Sequence, residues 1–150
     1  MRLISLFLIA LLVVLSFSLY AQEGELVNRA VGESPLSFGT GAALVAALAG
    51  AVPSEQPVDP EDAVAVLGSL GYRLPDRSID DPITYGNFAL LMMQAFDVRG
   101  GLRYEIFPTS AAAFEELRSR SLLSPDVYAG TPIPGVVAVD VASHFLSDLP

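Results

Sequence analysis

Apolar residues along this chain fall into five blocks whose spacing predicts helices, preceded by an N-terminal run of different character. The most apolar block outside that run is Asp81–Phe96, DPITYGNFALLMMQAF. Thr84 stands where a helix cap belongs, and Asn87 lies in the first turn. Phe88, Leu91, Met92, Ala95 and Phe96 line one face, which Leu90 and Met93 widen. A stripe that wide predicts a helix covered on most sides. An earlier block opens the same way. Leu36-Ser37-Phe38-Gly39 leads into Ala42–Ala49 as Ile83-Thr84-Tyr85-Gly86 leads into Phe88–Phe96. Ala and Leu lose little freedom in a helix, and Gly50 supplies a left-handed stop.

Three more helices complete the pattern. Asp59-Pro60-Glu61-Asp62 is a helix start: Asp59 caps, Pro60 fits the first turn, and the two acids face the positive end of the helix dipole. Ala63, Val64, Val66, Leu67 and Leu70 form its apolar face, Gly71 closes it, and Tyr72 and Leu74 pack back. Thr109 or Ser110 caps the next helix. Ala113, Phe114 and Leu117 face inward there, and Glu116 can pair with Arg120 one turn on. The last helix begins near Pro134, with Val137, Val139, Val141, Ala142, Phe145 and Leu146 for packing and Asp140, Ser143, His144 and Ser147 for solvent. Between helices, Leu102, Tyr104 and Ile106 alternate with Arg103 and Glu105 after Gly100-Gly101, which predicts a short extended piece. The polar stretch 22–35 predicts a flexible lead-in.

The N-terminal run changes the picture of compartment. Met1-Arg2, an apolar stretch from Leu3 to Leu15, and the small residues Ser16, Ser18 and Ala21 have the order of a secretory signal peptide over residues 1–21. Its other use is an uncleaved anchor. Export to the periplasm, the cell envelope or the medium is the expectation. With no cysteine, the chain is neither a disulfide scaffold nor a cysteine-anchored lipoprotein. The formal charge is −9, and every cationic side chain is Arg. That balance argues against nucleic acid, and against electrostatic docking on anionic lipid.

A shift of fifty residues superposes the chain on itself without a gap. Ala63 matches Ala113, Leu67 matches Leu117, Ser69 matches Ser119, Pro75-Asp76 matches Pro125-Asp126, and Pro82-Ile83 matches Pro132-Ile133. Shared turn residues are harder to match by accident than apolar periodicity. The division that follows is a half unit 36–52, a unit 57–106 and a unit 107–150. Ile83-Thr84-Tyr85-Gly86-Asn87-Phe88-Ala89 resembles the second-helix opening of the S-layer homology (SLH) repeat, and Ala63–Tyr72 resembles its first helix. The resemblance implies an all-α fold of about five helices in stacked helix–loop–helix units. It also implies binding to cell-wall polymer near the second-helix opening. The family's Arg and Glu after the Thr are replaced here by Tyr85 and Asn87, and the third copy has Pro134 in place of the Thr.

The inventory for chemistry is short. His144 is the only histidine; Asp140 lies one turn away, but no nucleophile turn accompanies them. Asp76-x-Ser78-x-Asp80-Asp81 lacks the glycine and distal glutamate of a calcium loop. No glycine-rich phosphate loop follows a strand. The sequence therefore points to a non-catalytic, cofactor-free interaction module binding wall polymer or another envelope protein. Thr84, Tyr85, Asn87, Arg99, Arg103 and Tyr104 are its candidate contact residues. The alternative is a helical carrier with Phe88, Met92, Met93 and Phe96 around an apolar ligand; an enzyme ranks last.

Overall fold

A computed structural model describes residues 24–52 and 58–148, which leaves the leader expected over 1–21 outside the described residues. Within them the chain is all-helical, with seven helices and no β pairing beyond two isolated bridges. Residues 24–32 form α1. Then come α2 (Phe38–Leu48), α3 (Pro60–Ser69), α4 (Tyr85–Ala95), α5 (Leu102–Ile106), α6 (Ser110–Ser119) and α7 (Gly135–Ser147). The five expected helices are α2, α3, α4, α6 and α7.

Two expectations are corrected. Residues 24–32 are helical rather than a loose lead-in, and Leu26 and Ala30 are buried. Their apolar face is too narrow to stand out in a polar sequence, and burial against the rest of the fold holds it. The segment around Leu102–Ile106 is a short helix, not an extended piece. No neighbouring strand is present to pair with it, so its backbone groups are satisfied locally.

Caps act where the local chemistry puts them. Ser37, Asp59, Thr84 and Thr109 each accept a hydrogen bond from a first-turn amide. Four helices end in the same way. The amides of Ala51, Tyr72, Val98 and Leu122 reach back to the carbonyls of Ala46, Leu67, Met93 and Leu117 at 2.9–3.1 Å. That closure places one residue in the left-handed region. Gly50 (φ 66°) and Gly71 (φ 82°) fill the position for α2 and α3, whereas Asp97 (φ 48°) and Ser121 (φ 60°) fill it for α4 and α6.

Three short extended segments, each a proline followed by Leu or Ile, meet at the centre. They are Pro35-Leu36, Pro82-Ile83 and Pro132-Ile133. Leu36 N–H donates to the Ile133 carbonyl at 2.9 Å, Ile133 N–H to Ile83 at 3.0 Å, and Ile83 N–H to Leu36 at 2.9 Å. The three hydrogen bonds close a ring, and all three side chains are fully buried. Helices α2, α4 and α7 start directly from this ring. Phe38, Phe88, Leu91, Met92, Met93, Leu67, Leu117 and Phe145 build the core around it.

At each joint of the ring, one helix start rests on the next segment. Phe38 and Gly39 N–H donate to the carbonyls of Asp81 and Ile79; Tyr85 and Gly86 N–H donate to those of Thr131 and Ala129. A Cβ on Gly39 would lie 2.8 Å from Pro60 Cβ, and one on Gly86 would lie 3.0 Å from the carbonyl oxygens of both Ala129 and Ser110. These glycines let α2 approach the start of α3, and α4 the start of α6. The third joint is offset by one residue. There Gly135 N–H donates to the Glu33 carbonyl, and a Cβ on Gly135 would collide with the Ala30 carbonyl.

Glu33 also ties α1 to α2. Its carboxylate accepts from the Ser37 amide at 2.8 Å and the Thr40 hydroxyl at 2.7 Å. Partial burial pushes its carboxyl pKa up. The hydrogen bonds from Ser37 and Thr40, with the Arg29 charge, outweigh this and hold it below the usual carboxylate range. A lowered folded-state pKa stabilises above the unfolded value near 4.5 and is lost as pH falls through the folded one.

Three stability predictions follow from these contacts, all read by denaturant unfolding. Ser121→Gly relieves a left-handed serine and stabilises by about 1 kcal/mol. Gly68→Ala, whose Cβ nears only a Leu74 methyl at 3.5 Å, stabilises by up to ~1 kcal/mol, while Gly86→Ala, pressed between two carbonyls, destabilises by about 2 kcal/mol; equal signs would contradict the close-approach account. The stability gap between the parent and Glu33→Gln is constant above about pH 5.5 and narrows on acidification below the unfolded pKa near 4.5.

Candidate functional site

The six residues singled out by sequence divide into two groups at opposite ends of α4. From Asn87, in the first turn of α4, to its last residue, Ala95, the helix rises eight residues, about 12 Å at ~1.5 Å per residue.

The first group belongs to the ring joint. Thr84 is buried, and its hydroxyl caps α4 by accepting from the Asn87 amide at 3.3 Å. Tyr85 is only 6% exposed, its amide is committed to Thr131, and burial pushes its phenol pKa up. Both are framework for the joint. Asn87 is half-buried and is the member of this group whose side chain reaches the surface. On the segments that form the joint, Asp81, Pro82, Thr131 and Pro132 are all exposed.

The second group surrounds α5. Arg99 and Arg103 are exposed, and Tyr104 is half-buried. Burial raises the Tyr104 phenol pKa against the opposing pull of the nearby Arg73 charge. Arg73 donates to the Pro108 carbonyl at 3.3 Å, and its own amide and carbonyl bond the Gln94 side chain at 2.8 and 3.4 Å. Arg120 donates to the Arg99 carbonyl at 3.1 Å and pairs with Glu116 at 2.9 Å, the one-turn pairing the sequence suggests. Glu116 in turn accepts from the Gly101 amide at 2.8 Å. Four of the seven arginines in the described residues thus gather at this end. Arg73 and Arg120 were not legible as members, because both arrive from distant points in sequence; a polar Gln94 at the end of an apolar helix was the one available hint.

The remaining sequence candidates do not assemble into a reaction centre. His144 and Asp140 are an exposed pair, 3.5 Å apart, and the Ser143 hydroxyl donates to the Val139 carbonyl instead of facing the ring. Asp81 uses its carboxylate to accept from the Ser78 amide, as a loop residue does. Among the described residues no three His, Cys, Asp or Glu side chains are grouped to hold a metal ion. Phe88, Met92 and Met93 are packed in the core, and Phe96 stacks obliquely on Phe145 with ring centres 5.8 Å apart. A shallow depression of about 530 Å³ lies between Arg118 and Pro125, where Arg118 already donates to the Pro125 carbonyl. No helix among the described residues is long and apolar enough to cross a membrane. No protein-family model, curated protein or solved structure matches the chain.

Proposed function

We propose that this chain is an exported, non-catalytic interaction module of a bacterial cell envelope, built on SLH-like helix–loop–helix units, that binds an extended partner: wall polymer or the surface of another envelope protein. One observation carries the extended-partner reading. The accessible candidate residues are Asn87, in the first turn of α4, and Arg99 and Arg103, beyond its last residue; from Asn87 to Ala95 the helix rises about 12 Å. A polymer or a protein surface spans that distance, and a small substrate does not.

Several features support the rest of the reading. Ala63–Phe96 and Ala113–Leu146 have the same order of elements: helix, Pro-Asp loop, Pro-Ile segment, helix. The leader-like N-terminus supports export. Arginine suits the carboxylates and phosphates of an anionic polymer, which it binds through paired N–H groups. The filled core around Met92 and Met93 favours recognition at the surface over carriage of an apolar ligand inside.

Co-sedimentation with purified sacculi tests this. The triple variant Asn87→Ala, Arg99→Ala, Arg103→Ala keeps its melting temperature, since all three side chains reach solvent, and loses binding at least about tenfold. Unchanged binding by the folded variant would overturn the assignment.

A further inference from the structure

Helix α5 presents its apolar side chains to solvent. Leu102 is 74% exposed, Ile106 57% and Phe107 65%, whereas Tyr104, on the other side of the helix, packs against the core. The helix is anchored through the Gly101–Glu116 hydrogen bond and through Tyr104, which lies over Gly100. The fold does not require the three outward residues. In the fifty-residue register, Leu102, Ile106 and Phe107 correspond to Val52, Gln56 and Pro57, so the other copy lacks this cluster.

We infer that α5 is a peripheral docking point for an anionic phospholipid surface, with Leu102, Ile106 and Phe107 entering the headgroup boundary and Arg99 and Arg103 meeting lipid phosphates. Two features select lipid as the occupant. The first is size. Three side chains expose roughly 300–400 Å², about half of the ~800 Å² that each partner of a stable protein interface contributes; insertion of a few apolar residues into a bilayer boundary has no such minimum. The second is local charge. Arg73, Arg99, Arg103 and Arg120 stand against Asp97, Glu105 and Glu116 at this end, with Arg120 paired to Glu116, a local balance of +1 in a chain of formal charge −9. Beyond the ~8 Å screening length at physiological salt, the acidic remainder of the protein contributes little repulsion. Phosphate is also a group that a guanidinium binds through paired N–H groups. This inference shares Arg99 and Arg103 with the wall-binding reading but is separable from it, because the three apolar residues take no part in that reading.

The absence of cysteine makes the test local. The full chain carrying Phe107→Cys or, as reference, Val136→Cys on α7 is labelled with a polarity-sensitive fluorophore and mixed with vesicles of phosphatidylglycerol or of phosphatidylcholine. The expected result is a blue shift at Phe107→Cys, quenched by a lipid-borne quencher, with phosphatidylglycerol more effective and the Val136→Cys label unmoved. Adding Leu102→Ser and Ile106→Ser raises the lipid needed for half the shift roughly tenfold, while sacculus co-sedimentation stays the same. No shift at Phe107→Cys, or an equal shift at both sites, overturns the inference. A shift that grows with protein concentration without vesicles assigns the patch to self-association and also overturns it. Equal response to phosphatidylcholine overturns the anionic assignment.

Discussion

Three backbone hydrogen bonds among Leu36, Ile83 and Ile133 constrain everything else in this molecule. Two of them join segments about fifty residues apart and the third joins segments nearly a hundred apart, and they lie where water cannot substitute for a lost partner. An unmade hydrogen bond of a buried amide costs ~1–3 kcal/mol, so each segment is stabilised by the arrival of the other two. Each proline before the ring residue keeps the chain extended as it enters. Each helix that leaves the ring, α2, α4 and α7, then has its starting direction fixed.

Close approach at the joints follows from that geometry. A helix leaving the ring runs at once against the next segment, and no Cβ fits between helix start and facing carbonyl. Gly39 and Gly86 meet this at equivalent helical positions. The third joint differs because α1 enters the ring by its C-terminal end over a short link, whereas α3 and α6 begin near the ring and return by long Pro-Asp loops. The register slips by one residue, glycine moves to Gly135, and Glu33 takes over as side-chain tie through Ser37 and Thr40. The same position that opens α7 carries Pro134, which brings no side-chain cap.

The surface is organised by these joints as well. Thr84 and Tyr85 lie inside one, so residues that looked like contact groups act as framework, and Asn87 reaches solvent at its edge. At the far end of α4, Gln94 draws in Arg73, and Glu116 draws in Arg120 and the start of α5. The protein is thus acidic as a whole, with four of its described arginines gathered at one end beside Asp97, Glu105 and Glu116. Apolar residues are displayed at the same end because α5 has only one covered side.

Much of the fold was legible in the sequence, and for local reasons. Caps at Ser37, Asp59, Thr84 and Thr109, left-handed stops at Gly50 and Gly71, and the apolar faces of five helices depend on residues within one or two turns of each other. The Glu116–Arg120 pair was readable by the same logic. Helix α1 was not, because its narrow apolar face means little until a neighbour covers it; α5 was not, because alternation over five residues suits a strand as well as a helix when no partner is visible. Composition alone determined an acidic, cysteine-free chain that must hold together by its core. Only the tertiary structure decided that three Pro-Leu/Ile segments close on one another, that Tyr85 turns inward, and that Arg73 and Arg120 join Arg99. Those are contacts between residues far apart in the chain, and their geometry is set when the joints close, not by any local preference.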